Sequence, residues 1–163
     1  MMISPPKRSS LLLASTFIAA LIVSLMRWPD WAQSFRPDWT GIVLIYWCLA
    51  IPHRVGIGTG WIVGLIEDVL YGSLLGQYAL AKTVIAFVAV KMHLKMRMYP
   101  RWQQAVFVFL MLLSGQFIVA WIKGLTDQTN TTIPYFTPSI VGMVLWPWLF
   151  IVLRDIRRRG QID

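Results

Sequence analysis

One cysteine, two histidines and seven acidic residues among 163 leave little material for catalysis. Cys48 has no second cysteine for a disulfide or a Cys-x-x-Cys metal site, and it lies inside the apolar run Ile42 to Ile51 as a small buried hydrophobe. The chain contains no Walker A loop, no HExxH and no GxSxG. It has no aspartates paired on separate apolar segments and no histidine in the middle of one. Phosphate chemistry, metalloprotease, serine hydrolase and aspartyl protease mechanisms therefore lack their minimum parts, and no metal or cofactor is expected. His53 falls in a tight turn between Pro52 and Arg54 without an acid or nucleophile beside it. Once the apolar runs are set aside, no stretch long enough for a soluble domain remains.

What is present is apolar surface. With 57% hydrophobic and 13% charged residues and a mean hydropathy of +0.62, the chain reads as one all-α membrane domain over residues 1–163. Apolar runs at 10–26, 39–51, 55–71, 78–90, 102–122 and 138–153 predict six transmembrane helices. The second and fourth are short against the roughly 20 residues that a span needs. The first lacks a small-residue cleavage site and reads as a retained helix. A net charge of +8 and a pI near 10.2 raise nucleic acid as a partner. The basic residues instead occur in short runs between apolar segments, which is the signature of orientation. With both termini cytoplasmic, Lys7, Arg8, Arg54, Lys91, Lys95, Arg97, Arg101, Arg154, Arg157, Arg158 and Arg159 lie inside, whereas Arg27, Arg36 and Lys123 lie outside. The inner residues from Arg54 onward form a basic patch suited to anionic lipid or an acidic partner. Trp28, Trp31, Trp39, Trp102 and Trp121 fall near the expected interfaces. The outer connections are an aromatic and charged turn at 27–38 and a threonine-rich loop from Gly124 to Thr137. The Asn130-Thr131-Thr132 triplet in that loop is assigned no role.

One stripe stands out. Gly56, Gly60, Gly64, Asp68, Gly72 and Gly76 recur every fourth residue in a segment otherwise rich in Trp, Ile, Leu and Val. Glycine weakens a helix and an ionised side chain in hydrocarbon is costly, so the stripe is expected to face protein, with the small residues admitting another helix closely. Asp68 becomes the leading partner or pocket candidate. Glu67, turned about 100° from it on a helix, and Lys82, at matching depth on the next helix, either pair with each other or snorkel separately to the interface. Gln116 is an interior polar candidate for interhelical hydrogen bonding. Pro147, between Trp146 and Trp148, frees the carbonyl of Met143 and bends the last helix, either as a packed wedge or to shape a groove.

Further residues carry a family resemblance. Phe35-Arg36-Pro37-Asp38-Trp39, Tyr46-Trp47, Ile51-Pro52-His53-Arg54-Val55 and Gly58-Thr59-Gly60 resemble the bacterial rod shape-determining protein MreD family. So do Gly64-Leu65-Ile66-Glu67-Asp68, Gly72 to Gly76 and Leu145-Trp146-Pro147-Trp148. The resemblance covers nearly the whole chain. It implies a multi-pass protein of the bacterial inner membrane without catalytic activity, working with MreC, a single-pass protein with a periplasmic coiled coil. The wider peptidoglycan elongation machinery includes the cytoskeletal MreB, a RodA-type glycosyltransferase and a class B transpeptidase. The family is also similar in architecture to the S components of energy-coupling-factor transporters. Two functions follow as expectations. The first is a scaffold whose glycine stripe, Asp68 and bent last helix receive the MreC helix. The second is a subunit that binds a small molecule or lipid precursor in an outward pocket lined by Asp68, Lys82, Gln116 and Trp146.

Overall fold

A computed structural model describes residues 6–126 and 137–160, with side chains from Ser9 onward. The Asn130-Thr131-Thr132 triplet, most of the loop that carries it, and the side chains of Lys7 and Arg8 lie outside the described residues. The described residues form six helices and no strand: α1 Pro6–Leu25, α2 Trp39–Ala50, α3 Ile57–Tyr71, α4 Gln77–Met98, α5 Arg101–Leu125 and α6 Thr137–Gly160, with a short 3-10 turn at Gln33–Phe35 before α2. Of these, α5 and α6 are each long and apolar enough to cross a membrane alone.

The six expected runs correspond to the six helices, with α1 beginning earlier, at Pro6, α5 running on to Leu125, and two larger extensions. Helix α4 continues eight residues past Val90, because Lys91, His93, Lys95 and Arg97 are good enough helix formers to carry it beyond the apolar run. Helix α6 likewise continues from Leu153 to Gly160 through its arginines. Helix α2 stays short, at 12 residues, or about 18 Å. Every residue from Thr40 to Leu49 is buried, so it has no polar face and shows no helical period in sequence. It is the central post of the bundle, packed against α1, α4, α5 and α6. The Trp47 indole N–H donates to the Thr16 hydroxyl at 3.0 Å and ties α1 to it.

The glycine stripe is used inside the chain. A Cβ at Gly64 would lie 2.3 Å from the Ala79 Cα, and one at Gly60 would lie 2.7 Å from the Lys82 carbonyl oxygen. These two glycines therefore bring α3 and α4 into backbone contact, the most extensive helix pair of the bundle. The expectation that the stripe forms a groove for a partner is corrected here, since α4 already fills it. Gly56 makes only ordinary contacts, 3.7 Å to the Pro52 oxygen. Gly72 and Gly76 adopt φ of 62° and 101° in the α3–α4 turn, a region that side chains disfavour. Gly64→Ala should consequently lower stability by at least about 2 kcal/mol through overpacking against backbone. Gly58→Ala, with nothing within 4 Å of the new Cβ, should be neutral or slightly stabilising. Thermal unfolding of the two variants in detergent checks the pair, and equal midpoints would refute the close approach.

Candidate functional site

Pro37 and Asp38 begin the site. Asp38 is the N-cap of α2, its Oδ1 accepting the Gly41 N–H at 3.0 Å. The cap leaves Oδ2 free to reach across the bundle, where it receives the ammonium of Lys82 on α4. Glu67 of α3 lies on the other side of that ammonium, Oε2 to Nζ 3.5 Å. Lys82 and Glu67 are 1% and 2% exposed, so they pair in the interior and do not snorkel. The Thr40 hydroxyl sits between the two carboxylates, 3.0 Å from Asp38 Oδ1 and in hydrogen-bonding contact with Glu67 Oε1. One ammonium and one hydroxyl hydrogen thus serve two acids, and Glu67 Oε2 is left buried without a hydrogen bond. Burial pushes the Asp38 carboxyl up, but the charge and hydrogen bond of Lys82, aided by Gly41 and Thr40, outweigh it and hold the group below its ordinary value of 3.8. Because the folded value is depressed, Asp38 stabilises the fold above that pH, and the contribution is lost as pH falls through the lower folded value.

The cluster borders a cavity of about 370 Å³ at the end of the bundle where α2 begins. Glu67, Lys82 and Asp38 meet Tyr71, Tyr78 and Arg36 there, and Gln116 and Lys123 of α5 close the other wall. The Arg36 guanidinium lies 5.9 Å from the Tyr71 ring centroid. Gln116 Oε1 accepts the Ser139 hydroxyl at 2.8 Å, joining α5 to α6 beside the cavity.

Asp68 is absent from that cavity. Its Oδ1 accepts the Ser73 hydroxyl at 2.8 Å and the Tyr78 N–H at 2.8 Å, while Oδ2 accepts the N–H groups of Gly76 at 2.9 Å and Ala79 at 3.3 Å. It caps α4 from the preceding helix, supplying what Gly76 at the N-cap lacks. The placement of Asp68 at a partner surface is corrected by this geometry: it is 1% exposed and its oxygens are occupied. Trp146 is also elsewhere. It is fully buried against Tyr46 and Phe150 in the core, while Trp148, about 200° further round the helix, is 72% exposed, so this part of α6 packs one tryptophan inward and shows the other outward.

The basic residues of the expected inner face make several local contacts. Arg54 donates to the hydroxyls of Ser9 and Ser10 at 3.1 Å each, and Lys91 lies over Phe87. Arg101 stacks on Phe150, and Arg159 pairs with Asp155 at 2.9 Å. Lys95 and Arg158 are exposed; Arg97 and Arg154, also exposed, and the half-buried Arg157 line one recess. Sequence reasoning passed over Asp38, Thr40, Tyr71 and Tyr78. The signal for Asp38 was present, since an aspartate just before an apolar run is an N-cap pattern.

The model of the rod shape-determining protein MreD family matches residues 7–156. The chain belongs to the MreD family. A rod shape-determining protein MreD of Haemophilus influenzae is 34% identical over 152 residues, covering 91% of each chain. No solved structure matches. Membership gives this MreD family protein a role in determining rod cell shape and sets it among membrane-associated shape proteins, not enzymes. Its partners are therefore sought among the components of the rod complex.

Proposed function

We propose that this MreD family protein is a non-enzymatic scaffold of the bacterial inner membrane that receives an MreC-like single-pass partner at the cavity beside Glu67. Six spans with both termini in the cytoplasm place that cavity on the periplasmic side, as the distribution of Lys and Arg supports. The observation that carries the reading is Glu67 Oε2, a buried carboxylate oxygen beside the recess, with the Lys82 ammonium at 3.5 Å as an ion-pair neighbour but no hydrogen bond. Leaving such a group unsatisfied costs about 1–3 kcal/mol or more. A lysine, arginine or hydroxyl from a partner's juxtamembrane segment would recover that cost on docking. Through this partner the scaffold joins an MreB-like cytoskeleton, a RodA-type glycosyltransferase and a class B transpeptidase. No nucleic acid is involved, and the basic inner face holds the protein's orientation against anionic lipid.

The test uses co-purification from native membranes. Glu67→Leu should reduce the retained single-pass partner about tenfold or more, as expected for a charged hydrogen bond, while Glu67→Gln, which keeps an acceptor, should retain most of it. Partner at wild-type level in Glu67→Leu would sink the reading. A second reading is favoured by the cavity's convergent polar groups: Arg36, Tyr71, Tyr78, Gln116 and Lys123 suit a small molecule or lipid precursor, as in the S components that the six-helix plan resembles. A stoichiometric metabolite or precursor in the purified protein, lost in Glu67→Leu while the partner stays, would select it.

A further inference from the structure

At the opposite end of α2 lies a second cavity, of about 380 Å³. Arg97, Arg154 and Arg157 line it, the first two exposed and the third half-buried, and no carboxylate is among its lining. Asp155, next to Arg154 in sequence, is engaged by Arg159 at the exposed surface. Arg97 is fixed in place by donating from Nε to the Leu49 carbonyl at 3.0 Å and from Nη2 to the Ala50 carbonyl at 2.7 Å. These bonds use two of its five N–H donors. Three like charges held around one recess repel unless an anion joins them.

Gln104 adds a second requirement. It is 7% exposed, and its Nε2 donates to the Met96 carbonyl at 2.8 Å and the Tyr99 carbonyl at 3.3 Å. That pairing fixes the orientation of the amide and leaves Oε1 as an acceptor, buried at the cavity and without a partner. The site thus offers cationic donors to an anion and, beside them, one acceptor that lacks a donor. A bare phosphate satisfies only the first.

We propose that this cavity binds a phosphate ester carrying a free hydroxyl, with Arg97, Arg154 and Arg157 holding the phosphate and Gln104 Oε1 accepting the hydroxyl. A glycerol headgroup of an anionic phospholipid and a soluble polyol phosphate share this chemistry. The site lies at the far end of the bundle from Glu67 and does not depend on the partner reading.

Native mass spectrometry of the full chain, stripped of lipid in an uncharged detergent, tests it with three probes. These are dihexanoyl phosphatidylglycerol, dihexanoyl phosphatidylmethanol (equal in charge but lacking the hydroxyl) and sn-glycerol 3-phosphate. The phosphatidylglycerol should bind at least several-fold more tightly than the phosphatidylmethanol. The double change Arg154→Gln with Arg157→Gln should weaken it about tenfold or more, the scale of lost charged hydrogen bonds. Arg158→Gln with Arg159→Gln, which removes the same charge from residues that do not line the cavity, should leave it within about twofold. Competition by glycerol phosphate at comparable concentration assigns the site to a soluble ester, and absence of competition assigns it to the lipid headgroup. If both arginine pairs weaken binding equally, or neither glycerol compound binds more tightly than phosphatidylmethanol, the proposal is overturned.

Discussion

Lys82→Met should destabilise the fold by about 3–5 kcal/mol, the usual cost of removing one partner from a buried ionic group. Methionine preserves volume and helix propensity, so the loss isolates charge. Without the ammonium, Asp38 and Glu67 face each other across the single hydroxyl of Thr40, and Glu67, at 2% exposure, is left charged in a poorly solvated place. The penalty should then be relieved by removing the orphaned charge: Glu67→Gln in the Lys82→Met background should recover about half or more of the stability. Glu67→Gln alone should cost much less than Lys82→Met, because Asp38 still neutralises the lysine. Unfolding in detergent followed by tryptophan fluorescence reports this directly, since Trp47 and Trp146 are both fully buried. A Lys82→Met protein within about 1 kcal/mol of the parent would mean that the three groups are not a unit.

Asp68→Ala should be comparably severe, at about 3 kcal/mol, and for a different reason. The carboxylate accepts from the backbone of Gly76, Tyr78 and Ala79 and from the Ser73 hydroxyl, so its loss orphans the first N–H groups of α4 in a buried place. Asp68→Asn, which keeps one acceptor oxygen, should recover part of the loss, and Asp68→Leu should match alanine. Hydrogen exchange should localise the damage to the α3–α4 turn, with the Lys82 cluster affected only secondarily. Uniform loss of protection across all helices would contradict a local cap. For function, an Asp68 variant that fails to bind a partner says little, because the turn that presents Glu67 and Tyr78 has been loosened with it.

The distance between these two acids measures how much was legible in the sequence. Spacing found the α3 stripe and the carboxylate in it, and depth matching found Glu67 with Lys82, because those arguments need only helical geometry. Sequence could not show that the neighbour closing on Gly60 and Gly64 was α4, since a small-residue face reads the same whether its occupant is in the chain or outside it. Nor could it show the third member of the cluster. Asp38 lies 44 residues from Lys82, and only the placement of α2 between α1, α4 and α6 brings them together. Gly115 and Gly142 also admit a neighbour closely, though here it is the side-chain tips of Ile85 and Leu112 and not backbone, and isolated glycines form no stripe. The recess that Arg97, Arg154 and Arg157 share was not legible either, because charge counting orders residues by side of the membrane and not by which helix ends meet.

Helix α2 reaches only about 18 Å where a hydrocarbon layer is about 30 Å thick. A recess lies at each end of this short post, one lined by Asp38 and the other by Leu49 and Ala50. The layer of the bundle between the two recesses is therefore only the buried segment Ile42 to Cys48 of α2, ~10 Å of helix.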